Sequence, residues 1–320
     1  MKFLFFFLNI LLTYSAFPQL DKETEYQINQ LVETFKQKDY GRVVYFADEL
    51  LKKKPDDYYS LVYKGQALYH LGKNEAAIQA ITEGIKINPQ YFEAYECRGL
   101  IYSFMEEYNL AIKDIQVAIK NDPRNVMLLN LRGKIFQKKG EFDNAIKSYG
   151  HTLSVDSSNH EALVSRAYSN KALENYSKAL EDLEKAITID ATNVLQYEVR
   201  AFTYIGMEAY EKAITNFEKI IRLISKVDGK EHEDWLAYTY NNIGFAQSKI
   251  GKNTLALKYI NQSIDMLDTN PYAYKNRALV YLNLNEKAKA CNDLVRSKQL
   301  GFTKLYGNEV NELIKKNCVN

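Results

Sequence analysis

The chain has 320 residues, 46% of them hydrophobic and 26% charged, with 14 Gly and 5 Pro. Few backbone breakers and a good supply of Ala, Leu, Ile, Lys and Glu favour helix over sheet. Basic and acidic residues number 42 and 40, a formal charge of +2, and no long single-sign run occurs. That balance argues against the clustered basic surface needed to hold nucleic acid or another polyanion.

Residues 1–16 stand apart from the rest. Lys2 is a minimal basic segment, Phe3–Leu12 is a nearly unbroken apolar run, and Thr13 and Ser15 supply small residues for a cleavage site. The run has about half of the roughly 20 residues that a bilayer-spanning helix needs. A secretory signal peptide is expected, an uncleaved anchor being the alternative. The first cysteine is Cys97, which argues against a lipid anchor at the leader. No later stretch is long and apolar enough to span a membrane. The mature protein is expected to be periplasmic or secreted, without stable membrane insertion once the leader is cleaved.

The segment Phe92–Asn125 reads as two amphipathic helices. Tyr95, Gly99 and Tyr102 form one stripe at i, i+4, i+7, and Ala111, Ile115 and Ala118 form the other. Glu106-Glu107-Tyr108 separates them, and Asp122-Pro123 closes the second because proline cannot continue a helix. Such a hairpin cannot bury both faces alone. Gly65, Gly99, Gly133, Ala167, Ala201, Gly244 and Ala278 recur at one position of the first helix. Ala77, Ala111, Ala145, Ala179, Ala213, Ala256 and Ala290 recur at one position of the second. Small residues at a crossing let two helix backbones approach closely. Closing prolines recur at Pro55, Pro89 and Pro123, and Ser157 and Ala191 replace them in the next two units.

This pattern resembles the tetratricopeptide repeat in period and in its helix–turn–helix form. The units fall near 24–57, 58–91, 92–125, 126–159, 160–193, 194–227, 237–270 and 271–304, so that 17–304 is expected to be the repeat array. The first unit is degenerate, with Leu31 and Val43 at the small positions, as suits a terminal unit. The resemblance implies an all-α, right-handed superhelical solenoid of stacked repeats. Residues 228–236, with His232 and the one tryptophan, Trp235, interrupt the period. They read either as a lengthened helix and loop or as a partner contact anchored by Trp235. Residues 305–320 read as a C-terminal capping helix and tail, with the helix over Glu309–Lys316.

Cys291 lies early in the second helix of the last repeat and Cys318 just past the capping helix. If these helices run antiparallel around Gly301-Phe302, the two thiols meet, and an exported chain encounters oxidising conditions. A Cys291–Cys318 disulfide is expected, two unrelated thiols being the alternative. Exported tetratricopeptide proteins with a similar Ala-Cys, Leu-Gly, Cys ending support the bridge. Arg98, Arg166 and Arg277 each have an aspartate sixteen residues on, at Asp114, Asp182 and Asp293. These pairs are expected to be salt bridges across a repeat. Arg132 and Arg200 hold the same position.

Catalytic signatures are lacking. His70, His151, His160 and His232 show no metal-ligand spacing, and no nucleophile elbow, phosphate loop or dinucleotide fingerprint occurs. Asn175 and Asn261 begin glycosylation sequons, both within expected helices. The chain is expected to be no enzyme and to need no cofactor or metal. In the family it resembles, the first helices line a concave face that takes up peptides or partner segments. Carried over, that face includes Tyr59, Tyr69, Phe104, Lys134, Lys138, Tyr168, Phe202, Tyr238, Asn241, Phe245, Tyr272 and Lys275, and tyrosine there serves either recognition or packing between repeats. Lys134 and Asn130 have the residue types of the family's carboxylate clamp exchanged, so that clamp is not expected. The resemblance implies a scaffold for a partner protein or peptide and not for nucleic acid. A protein that uses the same rings on a glycan or cell-envelope polymer is the alternative.

Overall fold

The computed structural model describes residues 22–225 and 230–318. The expected leader, Asp228 and Gly229 of the insert, and the last two residues lie outside the described residues. Those described form eighteen α-helices and no strand. The described residues fall into two compact units, divided between Ser148 and Tyr149. The first contains α1 (Lys22–Lys36), α2 (Tyr40–Lys53), α3 (Tyr58–His70), α4 (Asn74–Ile87), α5 (Phe92–Phe104), α6 (Tyr108–Asn121) and α7 (Val126–Lys138). The boundary falls within α8 (Phe142–Val155). The second unit continues with α9 (His160–Ala172), α10 (Tyr176–Ile189), α11 (Val194–Gly206), α12 (Tyr210–Ile224), α13 (Lys230–Lys249), α14 (Asn253–Met266), α15 (Pro271–Asn283), α16 (Lys287–Gln299), α17 (Phe302–Tyr306) and α18 (Glu309–Asn317).

Local chemistry starts and stops these helices in a repeating way. Asp57, Asn125, Asn159, Asn193 and Asn270 cap α3, α7, α9, α11 and α15, each side chain accepting a backbone N–H of the first turn. First helices end through one left-handed residue: Lys38, Gly72, Glu106, Gly140, Glu174, Glu208, Gly251 or Asn285, with φ from 57° to 81°. The following N–H then reaches back five residues, as in Lys73 to Leu68 and Glu107 to Tyr102, both 2.9 Å. This bond satisfies a carbonyl that the helix end leaves open. Glycine takes the conformation freely, whereas the other five residues hold a Cβ where it costs about 1 kcal/mol.

The small residues are where the paired helices cross. A Cβ added at Gly65 would lie 2.5 Å from Ile81 Cγ1 and 2.9 Å from the Ala77 carbonyl oxygen. At Gly99 it would lie 2.9 Å from Ile115 Cδ1. The alanines of the second helices, from Ala77 to Ala290, are all fully buried. The arginine braces span the same crossings. Arg98 donates from Nε and Nη2 to Asp114 at 2.7 and 2.9 Å, and Arg277 does the same to Asp293. Arg166 donates to Asp182 at 2.8 and 2.7 Å. Arg132 and Arg200 meet Ser148 (3.1 Å) and Asn216 (2.7 Å) at the same separation.

Two features break the regular pairing in the second unit. α13 has 20 residues where α9, α11 and α15 have 13, and the extra turns come at its N-terminal end. There Trp235 is half-buried against the core of Tyr197, Ala201, Phe217 and Ile220. Beyond α16, the short α17 and then α18 cover the end of the stack. Phe302 and Val310 pack on Ala278, Ala290 and Leu294, and a disulfide joins Cys291 to Cys318.

Candidate functional site

The first helices carry the open faces, and each unit has its own. In the first unit, Tyr69 on α3 is half-buried and Phe104 on α5 is 64% exposed, their rings meeting edge to face at 5.7 Å. Lys134 on α7 is half-buried and Lys138 is exposed. Tyr59 belongs elsewhere. Its ring is buried in the core with Tyr58 and Tyr91, at 4.3 and 5.0 Å between centroids. Burial, and then a hydrogen bond to Tyr58, drive its phenol far above the usual range.

In the second unit, Tyr168, Tyr238 and Phe202 are 44%, 41% and 37% exposed on α9, α13 and α11. Lys171 Nζ lies 4.8 Å from the Tyr168 centroid and 5.8 Å from that of Phe202, a cation–π arrangement. Burial lowers the Lys171 pKa, and the Glu198 charge opposes that shift. Burial raises Glu198, and a hydrogen bond from the Trp235 indole followed by the Lys171 charge pulls it back. Trp235 thus uses its N–H inside the unit. Phe202 leans edge-on against the buried Phe217 at 5.6 Å, which fixes its ring. Phe245, half-buried on α13, has Lys249 Nζ 5.4 Å from its centroid.

Three residues expected on the open face are taken up by packing. Tyr59 is one. Asn241 is buried and accepts a hydrogen bond from Asn276 at 2.9 Å, tying α13 to α15. Lys275 is only 9% exposed, and its Nζ lies 2.9 Å from Glu309 Oε1 of the cap. Tyr272 is half-buried and turns the same way, with Tyr306 and Phe302 at 4.4 and 5.1 Å. Tyr306 therefore joins the face, which no local signal in the sequence announces because α17 is a five-residue helix placed by tertiary packing.

A further group in the first unit does not stand out in the sequence. Glu93 and Glu96 lie one turn apart on α5, and the Glu93 charge acts on the phenols of Tyr63 on α3 and Tyr91 of the preceding loop. Burial, reinforced by the Glu93 charge, pushes the Glu96 carboxyl up to about 6. Glu96 shares its repeat register with Asn130, Asn241 and Lys275, and that register is the signal that could have found it. The neighbouring Cys97 is buried, accepts a hydrogen bond from Gln66, and has its thiol pushed up to about 12 by burial, so it is inert packing. Among the described residues no cluster of His, Cys, Asp and Glu could hold a metal ion, and no helix is long and apolar enough to cross a membrane.

Sequence models described as "Tetratricopeptide repeat" match residues 192–269, 128–159 and 160–193, and one described as "TPR repeat" matches 65–103. The chain is a tetratricopeptide repeat protein. Its fold is similar to that of a tetratricopeptide repeat protein from Parabacteroides merdae, at 19% identity and a TM-score of 0.66, over 81% of this chain and 98% of that one. The C-terminal part of a TPR repeat-containing protein from Cytophaga hutchinsonii matches at 19% identity and 0.66, over 78% and 98%. A chain of the APC/C hetero-tetramer Cut9-Hcn1 matches at 18% and 0.60, over 95% of this chain and 57% of that one. A comparison with curated proteins finds no match. At these identities the structural likenesses establish the fold alone. The tetratricopeptide repeat fold suggests a protein–protein interaction scaffold.

Proposed function

We propose that this tetratricopeptide repeat protein is an exported, non-enzymatic scaffold that holds a partner protein or peptide on the faces of its first helices. The observation that carries the reading is the set of exposed rings at Tyr168, Phe202 and Tyr238, on three successive first helices of one unit. Large rings held by packing, as Phe202 is by Phe217, contact a partner at low entropic cost. Trp235 is engaged with Glu198 and the core, so it is not the anchor in this reading. The leader pattern of residues 1–16 supports export.

Capture of partners from the cell-envelope fraction by the mature protein tests it. Replacing Phe202 and Phe245 together with alanine is expected to weaken capture by about 1 kcal/mol or more. Unchanged capture by the double variant removes the face as the site. Preferential retention of an envelope glycan over any protein would favour the glycan-binding alternative.

A further inference from the structure

The C-terminal cap lies on a register that is open in the neighbouring repeat. Tyr238 and Tyr272 hold the same repeat position on α13 and α15. Tyr238 is 41% exposed, whereas Tyr272 is half-buried against the rings of Tyr306 and Phe302, at 4.4 and 5.1 Å. One helical turn on, Lys275 Nζ lies 2.9 Å from Glu309 Oε1 and 5.8 Å from the Phe302 centroid. The short α17 and the start of α18 thus set an aromatic ring and a carboxylate on a first-helix face, as a bound segment would.

Closing the end of the stack does not require these two contacts. Phe302 and Val310 do that, fully buried on Ala278, Ala290 and Leu294, while Tyr306 and Glu309 remain exposed and reach back to α15. Gly301 and Gly307 flank α17, both at positive φ and with open space where a Cβ would stand, so the chain can turn at either end of it. One covalent tie, Cys291–Cys318, holds the segment beyond Gly301, and both of its cysteines are partly exposed.

We propose that α17 and α18 form an autoinhibitory strap, which occupies the α15 end of the partner-binding face and is released when a dithiol reduces Cys291–Cys318. The proposal rests on the scaffold reading and adds its regulation. A thiolate of the dithiol attacks one sulfur of the bridge, forming a mixed disulfide and freeing the other cysteine, which takes up a proton. The second thiolate of the reductant then displaces the remaining protein sulfur, which is protonated in turn. The dithiol leaves as a disulfide, and its two electrons reside on Cys291 and Cys318. Loss of a link that spans 27 residues raises the opened fraction of the strap on the order of a hundredfold. Opening exposes Phe302 and Val310, so the strap stays mainly shut until a partner segment replaces it and shifts the population. The incoming segment meets the same ring and the same cation, and so carries an aromatic side chain and a carboxylate.

The test measures acetylation of Lys275 by a water-soluble succinimidyl ester, read by peptide mass. The mature protein is compared before and after reduction with dithiothreitol, which is removed under nitrogen. Lys275 is expected to react about tenfold or more faster after reduction, with Lys185 on α10 unchanged. The variant Cys291→Ser/Cys318→Ser should react at the reduced rate with or without the dithiol, which separates loss of the bridge from other effects of the reductant. Capture of partners from the envelope fraction should rise about threefold or more in the reduced protein and in this variant. A Lys275 equally protected before and after reduction would overturn the proposal. So would partner capture that is lost in Phe202→Ala/Phe245→Ala but indifferent to the bridge, which leaves the scaffold standing and removes the strap. Opening of Lys275 with no partner captured in either state keeps the redox-released strap and removes the scaffold.

Discussion

Arg166 and Arg200 make the same reach from a first helix to its own second helix and meet different acceptors. Asp182 takes two hydrogen bonds from Arg166 and holds its guanidinium above the ordinary value. Asn216 takes one from Arg200. At Arg132, bonded to the Ser148 hydroxyl, burial instead lowers the guanidinium. A neutral acceptor therefore suffices for the position, and the carboxylate adds charge to a bond that geometry already makes. Asp182→Asn is expected to cost about 1–2 kcal/mol in denaturant unfolding, and Asp182→Ala about 3 kcal/mol, because alanine leaves a half-buried cation with no acceptor. Equal losses would mean that the full charge is required. These pairs were legible in the sequence because both partners belong to one repeat at fixed spacing. The third contacts, Arg98 Nη1 to Thr82 and Arg277 Nη1 to Asn261, were not, since they come from the preceding pair and use a different residue type each time.

The C-terminal cap shows how far an element can be read before tertiary structure is known. Glu309–Lys316 reads as a capping helix in the sequence, and α18 spans Glu309–Asn317. The approach of Glu309 to Lys275, and of Tyr306 to Tyr272, depends on how Gly301 and Gly307, both at positive φ, turn the chain. Lys275, expected on the concave face, is consequently half of an ion pair with the cap. The disulfide holds this arrangement across a separation of 27 residues. On the loop-entropy account, closing such a loop stabilises the cap by about 3–4 kcal/mol. Reduction is expected to speed amide exchange in α16–α18 while leaving α9–α12 as before. Unchanged exchange throughout would show that Phe302 and Val310 hold the cap by packing alone.

Within each unit the packing is between neighbours: α3 meets α4 and α5, α9 meets α10 and α11, and α13 meets α12, α14 and α15. Repetition of small residues made this architecture legible, because a crossing that admits only Gly or Ala must recur wherever the crossing recurs. The binding face was less so. Tyrosine at a first-helix position is buried at Tyr59 and exposed at Tyr168 and Tyr238, and the residue type does not distinguish them. Nearest-neighbour packing predicts that damage stays local. Gly244 provides the test, since an added Cβ would collide with Ile260 Cγ1 and lie 3.0 Å from the Ala256 carbonyl oxygen. The backbone of α14 cannot yield as a flexible side chain would. Gly244→Val is therefore expected to destabilise by about 2–3 kcal/mol through overpacking. The gain in amide exchange should be confined to α12–α15, with α9 and α10 keeping their protection. Exchange that rises evenly from α9 to α16 would mean that the unit opens as one cooperative block, and the repeat would then be a unit of sequence without being a unit of stability.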